Sequence, residues 1–445
     1  MKKPVANIND SIQANNQSRW KDFLKIYLVL AVLFLVMFTM RATVTIIGVL
    51  LPNIVPDISA NFIMTESRLA VIFTIYNMTA AFFSIFVGPI TERIGYKIIL
   101  YTGMFIFVIG IAITTFTSQF WVMGLAQGIA GIGAAFFGPA TIAFAGEYFP
   151  KERISTAIGI IMSSFYVATI IIVPVNSYIA LLLNWRWAVG IMGIIGGTVV
   201  VLIIFIIPKF KSAKQGIADN QIDNHSTTED LSYIQRINIV LKNKFAVGTF
   251  FITLFQRGGL FAMTQILSTW LLSEFSLPTN RSGLVLMGSG IAALVSNSLF
   301  SWLADKKQGK RAIILIGTLL TGIWIGIFPL IAQTLGLAIF GFILLNFFGG
   351  ISMGSYNAFV AEVMPQSRGT AVSINNTFGQ ISQALAVGII VRIIYDRTLS
   401  YFYCGLVSMG FFLISIILML IFVKPKEIEK QFSSNALIGN NLSNE

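Results

Sequence analysis

Cysteine and histidine are almost absent from the 445-residue sequence, which contains one residue of each type, Cys404 and His225. A single cysteine excludes a disulfide within the chain, and one residue of each type offers no cysteine–histidine cluster for a metal ion. The long apolar segments contain no cluster of histidine, cysteine or carboxylate that could supply acid–base or nucleophilic chemistry. We therefore predict no catalytic residues, no metal site and no cofactor, and a protein that is not an enzyme.

Charged residues are also scarce. They make up 11% of the chain, against about 25% in a soluble domain, whereas 56% of the residues are hydrophobic. The apolar residues form runs of about 20, the length at which a helix crosses about 30 Å of hydrocarbon. The runs are continuous, without the alternation of a membrane β-barrel. We predict an all-α integral membrane protein with 12 transmembrane helices, at about residues 26–51, 68–90, 98–118, 121–146, 155–182, 187–207, 245–273, 283–303, 312–333, 336–361, 369–395 and 401–423.

Lysine and arginine are distributed unevenly between the two ends of these helices. With the N-terminus in the cytoplasm, 23 of the 30 basic residues fall in cytoplasmic segments, and only four fall in external ones. This positive-inside pattern predicts that both termini are cytoplasmic, and it accounts for the net charge of +12 without a nucleic-acid partner. The predicted location is the cell (inner or plasma) membrane. The first apolar run is too long for a signal-peptide core, so no cleavage is expected.

One long polar segment separates two sets of six predicted helices. A six-helix set, a linker and a second six-helix set form the parallel-repeat layout of many transporters. We expect this chain to function as a monomer. The predicted regions are a cytoplasmic N-terminal tail, a six-helix bundle, a cytoplasmic linker, a second six-helix bundle and a cytoplasmic C-terminal tail, at 1–25, 26–207, 208–244, 245–423 and 424–445.

Sequence features recur at half the chain length. Arg41 and Arg257, each in the first apolar segment of its half, are 216 residues apart. The pattern Glu-x-x-Pro-x-x-Arg occurs at 147–153 and again at 362–368, an offset of 215 residues. Two similar offsets indicate that the halves are structural repeats, which would place the two arginines at equivalent positions.

A turn after the second predicted helix reads Gly-Pro-Ile-Thr-Glu-Arg-Ile-Gly-Tyr-Lys at 88–97, with a weaker copy at 301–311. This turn resembles the signature loop of the major facilitator superfamily, and with the Glu-x-x-Pro-x-x-Arg pair the resemblance covers nearly the whole chain. It implies two pseudo-symmetric bundles that rock to open a central site to each side in turn. The sequence departs from the family at Glu92, where aspartate is usual, at Tyr96, often basic, and at Ser301, the first glycine of the second copy.

The charged residues of these motifs lie at the predicted cytoplasmic ends of helices. Acid–base pairs there can hold the two halves together and separate when the halves rock apart. We therefore assign them a gating role rather than contact with substrate. The residues are Glu92, Arg93, Glu147, Arg153, Asp305, Glu362 and Arg368.

Arg41 and Arg257 lie deep in the predicted membrane, about 24 Å and 20 Å along their helices from the nearest cytoplasmic lysine, at ~1.5 Å per residue. A charge at this depth costs at least ~2.5–3.5 kcal/mol and is a functional hypothesis by default. All 18 acidic residues fall in tails, linker or loops, so neither arginine has an intramembrane carboxylate partner. The guanidinium fork fits carboxylate and phosphate, which predicts a small anionic substrate.

Polar residues on other helices are candidates for the rest of the site. They recur at helical spacing in several spans, although each could instead form an interhelical hydrogen bond worth ~0.6 kcal/mol. With Arg41 and Arg257, we assign substrate binding to Tyr76, Asn77, Gln127, Tyr166, Gln256, Asn357, Asn376 and Gln380.

We therefore predict a secondary transporter for a small organic anion, a carboxylate or a phosphate ester, driven by a proton, sodium or a counter-substrate. An arginine in the first helix of each half resembles the organophosphate:phosphate antiporters, and the first-helix arginine also resembles the organic anion:cation symporters. The alternatives are an amino-acid (zwitterion) transporter, a drug or cation exporter, and an anion sensor that does not transport. The exporter is disfavoured because no midplane carboxylate is present and residues 166–178 contain no glycine.

Overall fold

The computed structural model describes residues 8–50, 53–54, 57, 66–149, 154–208, 233–307, 310–363, 368–386, 390, 394–395 and 398–422. All regular elements within these ranges are helical, as the continuous apolar runs predict. The α-helices are α1 (Ile8–Val49), α2 (Glu66–Ile94), α3 (Tyr96–Phe116), α4 (Phe120–Tyr148), α5 (Ile154–Val167), α6 (Val173–Leu182), α7 (Trp185–Ile206), α8 (Tyr233–Lys242), α9 (Lys244–Gln265), α10 (Leu267–Phe275), α11 (Thr279–Lys307), α12 (Lys310–Ile331), α13 (Leu335–Val363), α14 (Arg368–Ala386) and α15 (Tyr401–Phe422).

Within these ranges, 11 helical segments are long and apolar enough to cross a membrane. They correspond to all the predicted spans except 369–395. The first part of that span is α14, which is less apolar than its neighbours because it contains Asn375, Asn376, Gln380 and Gln383. The all-α membrane fold with about 12 helices is therefore confirmed.

Glycines allow the backbones of α3 and α4 to contact each other directly. A Cβ added at Gly103 would lie 3.0 Å from the carbonyl oxygen of Gly133, and one added at Gly133 would lie 2.4 Å from the amide nitrogen of Phe107. Gly110 of α3 meets the backbone of Ala130 in the same way. Membrane helices associate through such close packing because lipid supplies no hydrophobic drive between them.

The fifth span is interrupted near its centre. A π-helical turn at Ala168–Ile172 joins α5 to α6, and Pro174 follows within the first turn of α6. Proline has no amide hydrogen and its ring clashes with the carbonyl four residues earlier, here that of Ile170, which favours a wider turn at this point. The wider turn moves Thr169 onto the wall of the central cavity.

The two halves contact each other near both ends of the helices. Towards the C-terminal end of α2, the Asn376 amide of α14 donates to the Ser84 hydroxyl at 3.2 Å, and Thr377 donates to the Ala81 carbonyl at 3.4 Å. Near the opposite ends of the helices, α6 packs against α11, where a Cβ on Gly283 would lie 2.8 Å from the Ser177 hydroxyl. Both sets of contacts must separate in turn if the halves rock.

Three loops of the first half meet in one polar network on the side predicted to be external. Asp57 accepts hydrogen bonds from the Trp185 indole, at 2.8 Å, and from Arg186, with which it forms an ion pair. Arg186 also donates to the Thr117 carbonyl at 3.0 Å and to the Ser118 hydroxyl at 3.1 Å, and its guanidinium lies 4.5 Å from the Trp185 ring centroid. The network therefore joins the segment at Asp57 to the loop between α3 and α4 and to the start of α7.

Asp57→Asn is expected to lower thermal stability slightly at neutral pH. Partial burial raises the pKa of Asp57, but the hydrogen bonds from Arg186 and Trp185 outweigh it and hold the pKa below its usual value. Because the folded-state pKa is depressed, the stabilisation is present above the unfolded pKa of about 4 and is lost as pH falls through the folded value. For a pair this exposed the effect is at most about 1 kcal/mol.

Melting curves between pH 3 and pH 7 test this prediction, with Glu274→Gln, an exposed acid at the end of α10, as the control. The difference between wild type and Asp57→Asn should shrink as the pH falls. A difference that stays constant over this range would show that the carboxylate charge is not what stabilises the network.

Candidate substrate cavity

A central cavity of about 190 Å³ lies between the two halves. Its walls come from α1, α5 and the π-helical turn in the first half, and from α9, α11, α13, α14 and α15 in the second. The described lining residues are Arg41, Thr45, Phe165, Tyr166, Thr169, Gln256, Arg257, Leu260, Phe261, Thr264, Leu286, Ser289, Gly290, Ala293, Asn346, Gly349, Ser352, Met353, Tyr356, Asn357, Gln383 and Phe412. Most of the wall therefore belongs to the second half.

Arg41 is the charged group that the first half contributes to the cavity. Its guanidinium carbon lies 5.9 Å from the centroid of the Phe165 ring, a cation–π contact across from α1 to α5. Within the described residues no hydrogen bond or ion pair is found for this side chain. An aromatic face satisfies part of the charge and leaves the N–H donors free for a ligand.

Arg257 is the corresponding group of the second half, on α9. Its Nη2 donates to Oδ1 of Asn357 on α13, at 3.3 Å. It also packs against Gly379 of α14, where an added Cβ would lie 2.9 Å from Nη1. A neutral amide orients this guanidinium without neutralising its charge, and no described lining residue is acidic.

Polar side chains on α9 and α13 form a hydrogen-bonded layer beside Arg257. The Gln256 amide donates to the hydroxyls of Thr318, at 3.0 Å, and Ser352, at 3.3 Å. The Tyr356 hydroxyl donates to the Thr249 carbonyl at 2.6 Å. These bonds fix the rotamers around the arginine, so its position is set before a ligand arrives.

One hydrogen bond crosses the cavity between the halves. The Tyr166 hydroxyl of α5 donates to the Met353 sulfur of α13 at 3.2 Å. Thioether sulfur is a weak acceptor, so this bond can break at little cost when a ligand binds or the halves move apart.

Half of the ten predicted binding residues line the cavity: Arg41, Tyr166, Gln256, Arg257 and Asn357.

The other five do not line it. The Asn77 amide donates to its own helix at the Phe73 carbonyl, 2.7 Å away, and the Gln127 amide donates to the Thr114 hydroxyl at 2.8 Å. Tyr76 is buried, Gln380 is half-buried, and Asn376 is bonded to α2 in the contact between the halves.

The apolar part of the lining was not predicted. Leu260 and Phe261 follow Arg257 by three and four residues, which places them one turn further along the same face of α9. That spacing from a deep arginine is the one signal the sequence offered. Leu286 and Phe412 are not close in sequence to a deep charged residue. Other leucines and phenylalanines occupy every face of every span, so nothing in the sequence marks these two as cavity residues.

The predicted gating residues are described only in part. The Glu147 carboxylate accepts a hydrogen bond from the Tyr96 hydroxyl at 2.7 Å, so the tyrosine that stands in place of a base bonds the acid of the neighbouring motif. Arg153 lies outside the described residues. Glu92, Arg93, Asp305, Glu362 and Arg368 lie in described helical backbone, but their side chains are outside the described part.

Membrane-spanning helices in two halves around a shared central cavity are the arrangement of a secondary transporter. The sequence profile of the Major Facilitator Superfamily matches residues 33–387 and 249–437, and the chain therefore belongs to this superfamily. It is a multi-pass integral membrane protein.

Several known proteins are similar to this chain at low identity. The Bacillus subtilis (strain 168) uncharacterized MFS-type transporter YwfA is 24% identical over 263 residues, 59% of this chain and 61% of the relative. Spinster homolog 3 from Danio rerio is 26% identical over 211 residues, 45% and 39% of the two chains. A probable sugar efflux transporter from Helicobacter pylori is 19% identical over 254 residues, 57% and 61%. Each match covers less than two thirds of the relative.

Proposed function

We propose that this protein is a secondary transporter that moves a small organic anion, whose carboxylate or phosphate group binds between Arg41 and Arg257. The charge of the cavity carries the proposal. Two arginines line it, and the described lining offers them an aromatic ring and a neutral amide but no carboxylate. A deep cation without a counter-charge is costly, and an anionic ligand would supply that counter-charge.

Each half contributes one arginine, which suggests how binding would couple to movement. The two guanidinium groups repel each other when the cavity is empty, and an anion held by both would draw the halves together. The ligand would therefore favour the state in which both sets of contacts between the halves are formed. That difference in affinity is what a ligand needs to shift a conformational equilibrium.

A neutral sugar is the second candidate. The name of the Helicobacter pylori relative and four amide side chains on the cavity wall, Gln256, Asn346, Asn357 and Gln383, favour it. Amides can bind sugar hydroxyls as donors and acceptors. A sugar would leave both arginines without a counter-charge, so we rank it below an organic anion.

Uptake by purified protein in proteoliposomes tests the proposal. The panel contains phosphate esters, mono- and dicarboxylates, amino acids, neutral sugars and organic cations, each with imposed proton and sodium gradients and with trapped counter-substrate. We expect uptake and competition only from compounds that carry a negative group. Transport of a cation or sugar without an anionic group, at rates above those of every anion, would refute the proposal.

A further inference from the structure

Besides its polar residues, the cavity wall carries an apolar patch formed by Leu260, Phe261 and Leu286. From this we infer that the transported anion carries an apolar body, an alkyl or aryl group, that lies against α9 and α11. The inference rests on the proposed function, because Arg41 and Arg257 must first hold the charged group. It adds the chemical class of the remainder of the substrate.

Along α9 the lining changes from polar to apolar within one turn, and Thr264 follows one turn further on. Gln256 and Arg257 are followed by Leu260 and Phe261, which lie about 5–6 Å further along the axis at ~1.5 Å per residue. A ligand whose charged group is held by Arg257 and which extends along α9 therefore meets these two side chains next.

The opposite wall on α11 is apolar as well. Leu286 and Ala293 line the cavity from positions two turns apart on one face, with only Ser289 and Gly290 between them on the wall. Gly290 packs against the π-helical turn, where an added Cβ would lie 2.9 Å from the Ile170 side chain. No described residue on this wall carries a charge.

Polar groups lie beside the arginine. Asn357 accepts from Arg257 at 3.3 Å, and Gln256 donates to Ser352 at 3.3 Å. A wholly hydrophilic anion would leave Leu260, Phe261 and Leu286 against water or hydroxyl groups. An alkyl or aryl body would remove that apolar surface from water, which is the favourable outcome.

Two homologous series test the inference, straight-chain carboxylates and alkyl phosphates of about one to six carbons. Affinity is measured from ligand-induced thermal stabilisation of the full-length protein in nanodiscs. We expect affinity to rise by up to roughly fourfold per added methylene. Leu260→Ser and Leu286→Ser should flatten this rise. Leu272→Ser, at a side chain of α10 that is 38% exposed on the outer surface, should leave it unchanged.

Ligands with longer alkyl chains partition into the bilayer to the same extent for every variant. The comparison between Leu260→Ser and Leu272→Ser therefore isolates the contribution of the cavity wall to affinity. One outcome would overturn the inference of an apolar body and leave the proposed function intact. In that outcome, Arg257→Ala abolishes anion binding, but the wild-type affinity stays constant or falls as the alkyl chain lengthens. Anion binding that is absent, or that Arg257→Ala does not weaken, would overturn both. If Leu260→Ser does not fold, Leu286→Ser supplies the same comparison with Leu272→Ser.

Discussion

Arg257→Ala is expected to weaken binding of the transported anion by roughly 10- to 100-fold, and Arg41→Ala by a comparable factor. A hydrogen bond between charged groups contributes about 1.5–3 kcal/mol, and each 1.4 kcal/mol is a tenfold change in affinity. The two guanidinium groups are the charged side chains of the described lining. Loss of either leaves one side of the anion without its partner.

The same substitution should have the opposite effect on the empty protein. Arg257 is a deep cation whose described hydrogen bond, to Asn357, is long at 3.3 Å and supplies no counter-charge. Removing it relieves a cost of at least about 2.5–3.5 kcal/mol for a charge at this depth. We therefore expect the melting temperature of Arg257→Ala without ligand to equal or exceed that of the wild type.

Thermal unfolding in nanodiscs, with and without substrate, measures both effects in one experiment. Arg281→Ala, at an exposed arginine near the start of α11, is the matched control and should change neither value. Arg257→Lys keeps the charge but loses the planar fork, so its affinity should lie between the wild type and alanine. If Arg257→Ala lowers the melting temperature of the empty protein and keeps its affinity, the arginine is structural.

The arginines could be predicted from sequence because a charge inside an apolar run is conspicuous by composition alone. A polar but neutral residue gives no such signal, because its hydrogen bonds can be formed within its own membrane helix or with a neighbouring one. Asn77 bonds the Phe73 carbonyl one turn earlier on its own helix, and Gln127 bonds Thr114 on the neighbouring helix. Which face of a helix meets the cavity depends on how all the helices pack, and that information is spread over the whole chain.

The apolar residues of the cavity wall could not be predicted from the sequence for a related reason. The sequence contains 38 phenylalanines, and Phe165 or Phe261 on the cavity looks no different in the sequence from Phe116 or Phe205 on the lipid-facing surface. The helices themselves were predictable because their length is set by the bilayer and their hydrogen bonds are local. α14 shows where this rule weakens, since its amides interrupt the apolar run that marks the other spans.

Glycine in α4 offers two positions at which the same substitution should act in opposite directions. A Cβ at Gly133 would lie 2.4 Å from the Phe107 nitrogen and 2.5 Å from the Gly103 oxygen, both backbone atoms of α3. Backbone cannot rotate away as a side chain can, so the two helices would have to separate. A Cβ at Gly128, five residues earlier on α4, would lie 3.4 Å from the Ile75 side chain and 3.7 Å from that of Thr79, which are ordinary van der Waals contacts.

Gly133→Ala is therefore expected to destabilise the first half by about 1–3 kcal/mol, the usual cost of overpacking, and to lower the melting temperature and the yield of monodisperse protein. Gly128→Ala should be neutral or stabilising by up to about 1 kcal/mol, because alanine favours the helix over glycine. Fluorescence-detected size-exclusion chromatography after heating compares the two variants with the wild type. Equal melting temperatures for both would mean that α3 and α4 are not in backbone contact. Gly103→Ala, which places a Cβ 3.0 Å from the Gly133 oxygen at the same crossing, should then also be tolerated.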